Sequence, residues 1–190
     1  MPRVFISYSH DSDEHKNRVA ALARRLRSDR ITIVLDTDKL PGGPDEGWPT
    51  WSERQVEEAD MVLVACTHAY SLRYEGKQPP GEGLGVVCEA EVIRQYLYDH
   101  AGVNEKIRVI LFDSADQQYI PSKLKGYHFF QPEIDNSYTS LTAWLLGLGL
   151  VEPSQQLDRP AIAWPTPALA TDRELLACLS SGSTEAPRRR

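Results

Sequence analysis

The sequence predicts an α/β fold of the flavodoxin-like kind, a three-layer sandwich with a parallel sheet of about five strands between two layers of helices. Three observations predict it. Strand-like and helix-like segments alternate through residues 1–150. The strand-like segments are short, apolar and largely continuous, which is how strands read when both faces are covered. The helix-like segments repeat apolar residues at helical spacing, so helices can pack on both faces of the sheet.

The elements follow in order. Val4-Phe5-Ile6 is the first apolar run, and the polar Ser7-Tyr8-Ser9-His10 follows it. Asp11 and Glu14 have the spacing of a capping box, and Val19, Leu22, Ala23 and Leu26 then mark a helix. Ile31-Thr32-Ile33-Val34-Leu35 is β-branched and continuous, a second strand that reads as buried on both faces. The next stretch, DTDKLPGGPDEGWP, carries Gly and Pro residues that exclude regular structure. A polar helix is expected from about Pro49 to Ala59, with Trp51 turned into the core. Met61 to Cys66 is a third strand, and the loop YEGKQPPGEGLG leads to a helix from Val86 to about Asp99. Ile107 to Phe112 reads as a fourth strand, Pro121 to Phe130 as a turn with a fifth, and Tyr138 to Leu146 as the last helix.

The composition changes near residue 150. Five of the 13 prolines lie in residues 151–190, which read as a Pro-rich linker or tail. Within it, Thr171-Asp172-Arg173-Glu174 before LLACL reads as one short capped helix.

Composition also narrows the function. Hydrophobic residues make up 41% of the 190, enough for a core, and the net charge is −6. That charge argues against sequence-independent nucleic-acid binding, which needs a basic footprint. The longest apolar run is far short of a membrane span, and the N-terminus lacks the pattern of a signal peptide. Cys66, Cys88 and Cys178 are odd in number and have no CxxC spacing, so neither a disulfide framework nor a metal site is expected. A cytoplasmic protein fits this usage best.

In open α/β sheets, ligands bind where loops gather at the carboxyl ends of the strands. Those loops here begin at Ser7, Asp36, Cys66 and Phe112. Four stretches stand out: VFISYSHDSDEH, LDTDKLPGGPDEGWPTW, VLVACTHAY and GLGVVCEAEVI, with YIPSKLKGY before the last helix. Together and in this order they resemble the TIR superfamily, most closely its bacterial SEFIR-like and TIR-like branch. The resemblance runs from Val4 to about Leu146. FISYS is similar to the family's first box, and the loop after the second strand is similar to its BB loop.

The resemblance implies one of two functions. Many bacterial and plant members cleave the nicotinamide–ribose bond of NAD+, as hydrolases or cyclases, and serve as immune or stress effectors. Others assemble through homotypic TIR–TIR contacts without catalysis. NAD+ would be substrate, so no cofactor is implied. The partners implied are other TIR domains, in a homo-oligomer formed on activation, and a C-terminal or separate sensor domain. A receiver domain shares the fold class. It needs an acidic cluster after the first strand and a phosphoacceptor Asp after the third, where this chain has Ser7-Tyr8-Ser9 and Cys66-Thr67.

Catalysis in the family depends on a glutamate at the start of the helix after the third strand, and Glu89 and Glu91 both qualify. The bacterial pattern of a Gly-rich lead, an aromatic residue and Glu puts Cys88 at the aromatic position and Glu89 on the catalytic one. The plant pattern WCxxE puts Val87 on the Trp and Glu91 on the catalytic residue. The aromatic residue is absent in both registers. Residues two apart on a helix point about 200° apart, so both cannot enter one site. Val86, Ala90, Ile93 and Leu97 form the apolar stripe. Glu89 lies about 60° from its middle, at its edge, and Glu91 lies toward the opposite face. Glu89 is therefore favoured.

Cleaving an N-glycosidic bond builds positive charge on the ribose, and a fixed carboxylate stabilises that state. The remaining site would be a slot for nicotinamide and a cradle for phosphate. Ser7, Tyr8, Ser9 and His10 could wall it beyond the first strand, Asp36 and Lys39 beyond the second, and Thr67 beyond the third. Trp48 could stack on a ring. Lys39 could meet a phosphate or simply face solvent. In the family the loop Leu40 to Gly47 lies against a neighbouring domain and gates the site, so activity would depend on assembly.

Overall fold

The computed structural model describes residues 1–79 and 83–148. The expected Pro-rich tail with its short helix lies outside the described residues. Five parallel strands form one sheet in the order β2-β1-β3-β4-β5: β1 Arg3–Tyr8, β2 Thr32–Val34, β3 Met61–Ala65, β4 Ile107–Ile110 and β5 Phe129–Phe130. The order is that of a doubly wound sheet whose direction of winding reverses between β1 and β3. The helices are α1 Asp13–Ser28, α2 Trp48–Glu58, α3 His68–Tyr74, α4 Leu84–Asp99 and α5 Asp135–Leu145.

Strand pleating divides the core into two. Val4 and Ile6 of β1 and Leu63 and Ala65 of β3 pack with α1 and α5 on one face. Phe5, Val62 and Val64 point the other way and pack with α2, α3 and α4. Successive strand side chains alternate between faces, so this division follows directly from the sequence. The expected flavodoxin-like sandwich is thus present.

Several boundaries differ from expectation. β1 extends through Ser7 and Tyr8, which were expected in the loop. β2 has three residues and is a sheet edge, with Thr32 exposed and Ile33 buried, rather than a strand covered on both faces. The α1 cap is Ser12, whose Oγ accepts from His15 N at 3.1 Å, not Asp11. Asp11 is turned toward α3 instead. Asp36–Lys39 form a short 3-10 turn at the start of the Gly/Pro-rich loop, where no regular structure was expected. α3 has no counterpart among the expected elements. It is seven residues long, too short for a periodic signal, and is capped by Thr67, whose Oγ1 accepts from Tyr70 N at 3.1 Å. α5 begins about one turn earlier than expected.

Candidate functional site

The strand ends at β1 and β2 and the N-terminal turns of α2 and α4 enclose an open cleft of about 370 Å³. Glu89 forms part of its floor and is only 6% exposed. The strand register explains how the carboxyl is held. Ser7 points to the α4 face of β1, is fully buried, and donates from Oγ to Glu89 Oε2. Tyr70 OH lies 2.9 Å behind it on the Ser7 hydroxyl. With Glu89 ionised, the donors run Tyr70 to Ser7 to Glu89, since a carboxylate can only accept. Ser52, buried on α2, also bonds the Glu89 carboxyl.

These bonds do not make the site hospitable to charge. Burial pushes the Glu89 carboxyl up to about 8, Ser7 and Ser52 oppose the rise, and the Asp36 charge adds to it. Among the described residues, no Lys, Arg or His forms an ion pair with Glu89. The cleft therefore holds a largely protonated acid at neutral pH. A positive charge about 4 Å away, at an effective dielectric near 20, is worth about 4 kcal/mol. That suffices to bring the carboxyl back near its ordinary range.

The facing wall is built on Asp36. Tyr8 OH donates to Asp36 Oδ1 at 2.7 Å, and His10 Nε2 lies 2.6 Å from Asp36 Oδ2. Burial works to raise the Asp36 carboxyl, but the bonds from His10 and Tyr8 outweigh it and hold it below the usual range. The same burial and the nearby carboxylate push the Tyr8 phenol well above its ordinary value. Trp48 stands at the cleft mouth, 39% exposed, with its ring edge-on to the buried Trp51 at 5.7 Å. Leu40, 60% exposed, lies beside it. Gly85 borders the floor, where a Cβ would come within 3.3 Å of Ser52 Oγ and 3.9 Å of Glu89 Oε1.

A family model described as the SEFIR domain matches residues 2–137. The chain belongs to the SEFIR domain family. Among solved structures, one titled as the crystal structure of a prokaryotic SEFIR domain is similar over 82% of this chain and 99% of its own, at 27% identity and a TM-score of 0.60. No curated protein matches at a significant level. The expected bacterial TIR/SEFIR-like membership is borne out by both matches.

The SEFIR domain brings Tyr8, Ser9, His10, Asp36, Trp48 and Glu89 together around one cleft. Ser7 lies directly beneath, in contact with Glu89. Three candidates lie elsewhere. Glu91 is exposed on the far side of α4, as its helical phase requires. Lys39 is exposed and does not line the cleft. Thr67 caps α3, and its Oγ1 donates to Asp11. Glu89 is also buried more deeply than a position at the stripe's edge suggests, because α2 packs over that side of α4. Sequence reasoning missed Ser52 and Arg73, which also line the cleft. Ser52 lies one residue after Trp51 on a helix read as polar. Arg73 sits on the helix that went unread.

Among the described residues, no helix of this SEFIR domain is long and apolar enough to cross a membrane. Cys66 and Cys88 are free thiols. Cys66 is buried, and desolvation pushes its thiol up to about 12, which suits a small hydrophobe rather than a nucleophile.

Proposed function

We propose that this SEFIR domain cleaves the nicotinamide–ribose bond of NAD+, with Glu89 as the catalytic carboxylate. The observation that carries the reading is a carboxyl only 6% exposed on the floor of an open cleft, held by hydroxyls and lacking a cationic partner among the described residues. Burying an acid without a counter-charge costs stability. A surface that only assembles has no need of it. A substrate bearing a positive pyridinium ring supplies the missing charge on binding.

The bond then breaks with its electron pair passing to the ring nitrogen, which discharges the pyridinium and releases neutral nicotinamide. The ribose carbon takes up positive charge, and the Glu89 carboxylate stabilises it. Water attacks that carbon and gives up its proton to solvent through the open cleft, leaving ADP-ribose. Attack by the substrate's own adenine would give the cyclic product. Trp48 and Tyr8 would be aromatic walls for the ring, and Asp36 would accept from ribose hydroxyls; all three line the cleft.

Homotypic assembly accompanies this reading. Leu40, on the loop that meets a neighbouring domain in the wider family, and Trp48, at the start of α2, present apolar surface at the cleft mouth. NAD+ consumption gated by assembly suits an immune or stress effector.

The test is nicotinamide release from NAD+ by concentrated protein, followed by chromatography beside Glu89→Ala and Glu91→Ala. Release abolished by Glu89→Ala alone is expected. No release, even from protein crowded into assemblies, would leave a non-catalytic SEFIR module that works through homotypic contacts.

A further inference from the structure

The cleft is acidic where it meets the sugar, with Glu89 and Asp36 both on its walls. A dinucleotide brings a diphosphate as well, which the Asp36 carboxylate repels, as does Glu89 once ionised. Among the described lining residues, Arg73 is the only Lys or Arg.

Three features fix Arg73 in place. Its Nη1 donates to Asp11 Oδ1 at 3.1 Å, and Asp11 in turn accepts from Thr67 Oγ1. Its side chain is only 20% exposed, against 19% for Asp11. Its stem lies against the backbone of Gly83: a Cβ there would stand 2.5 Å from both Arg73 Cδ and Nε. Gly83 also has φ +62, in the left-handed region that favours glycine. The start of α4 is therefore shaped to let the Arg73 side chain pass into the cleft. A guanidinium carries several N–H donors in a rigid fork, and Asp11 takes only one of its edges among the described residues.

We infer that Arg73 is the anion-binding residue of the cleft and grips the diphosphate of NAD+, a role the sequence had offered to Lys39. The inference rests on the proposed NAD+ cleavage for its substrate but not for its chemistry. Asp11 orients the fork and limits its mobility, so little side-chain entropy is lost on binding. Arg73 then makes the site selective for dinucleotide over nicotinamide riboside, which carries the same scissile bond and no phosphate.

Two measurements on the full chain test this. The first is calorimetric titration with inorganic pyrophosphate of the parent, Arg73→Gln and Arg73→Lys. The expected result is binding by the parent, about 10- to 100-fold weaker binding by Arg73→Gln, and an intermediate value for Arg73→Lys. The second compares nicotinamide release from NAD+ and from nicotinamide riboside. Arg73→Gln should raise KM for NAD+ by a similar factor and leave KM for the riboside unchanged. Thermal melts of each variant separate lost binding from lost fold, and Arg73→Lys keeps the charge should Arg73→Gln unfold.

Equal pyrophosphate binding by parent and Arg73→Gln would overturn the assignment. So would no pyrophosphate binding by the parent, or equal losses with both substrates. Pyrophosphate binding that depends on Arg73, in a protein that releases no nicotinamide, would sustain Arg73 as the anion site and remove the hydrolase reading alone.

Discussion

Replacing Glu89 with glutamine should make this protein both inactive and more stable. The shape and most hydrogen bonds survive the change, but the titrating group is gone. The folded-state carboxyl titrates near 8, against an ordinary 4.5. Between those values the unfolded chain gives up its proton while the folded chain keeps it. The folded state then binds more protons, so stability falls as pH rises through that window. Each pH unit costs about 1.4 kcal/mol. At pH 7 the parent has lost about 3 kcal/mol on this account, and above pH 8 the loss levels off near 5 kcal/mol. Glu89→Gln escapes that loss. Urea unfolding of both proteins at pH 4.5, 6, 7 and 8 reads the difference directly. The variant's advantage should be near zero at the acid end and grow with pH. Near neutrality it corresponds to a rise in Tm of roughly 6–12 °C for a chain of this size. A difference that stays constant with pH would refute the reasoning, because it would show that Glu89 is not held neutral by burial.

The same titration should appear in turnover. The kcat/KM for NAD+ should rise with pH to a plateau above about 8, following ionisation of Glu89 in the free protein; a flat profile between pH 6 and 9 would count against it. Gly85→Val should block the cleft floor, since the new Cβ starts 3.9 Å from Glu89 Oε1 and 3.3 Å from Ser52 Oγ. Nicotinamide release should fall at least tenfold, with the melt little changed, and normal release would place the substrate elsewhere. Trp51 is 1% exposed, and its Nε1 has no hydrogen-bond partner among the described residues. Trp51→Ala should cost about 3–5 kcal/mol in urea unfolding and Trp51→Phe much less. Equal losses would mean that the indole N–H matters more than the packed volume.

The sheet and its helices were readable because β-branched runs and helical spacing record burial directly. Met61 to Ala65 and the stripe Val86, Ala90, Ile93 and Leu97 are buried nearly as their pattern predicts. β2 misled because an edge strand can carry the same β-branched residues as a covered one, and strand order is not written in any local stretch. Helical phase separated Glu89 from Glu91, yet it could not show that α2 closes over Glu89. That closure depends on Ser52 and Trp51, more than 30 residues earlier in the chain. Ser7 is a similar case. It looked like the first loop residue, and its place at the end of β1 turns it under the carboxyl instead of into solvent. Arg73 had no signal of its own. The contact with Gly83 and the bond to Asp11, both far from it in sequence, reveal where it points.

The hydroxyl chain behind Glu89 ends at Tyr70, which is fully buried. It is a cul-de-sac: a proton can shuffle along it but cannot leave by that end. Among the described residues the exit to bulk water is the cleft itself, the door through which substrate enters. Once that door is occupied, the proton inventory of the carboxyl is sealed. Acidity then governs which visits succeed, while the water that ends the reaction and the proton it sheds share the substrate's own door.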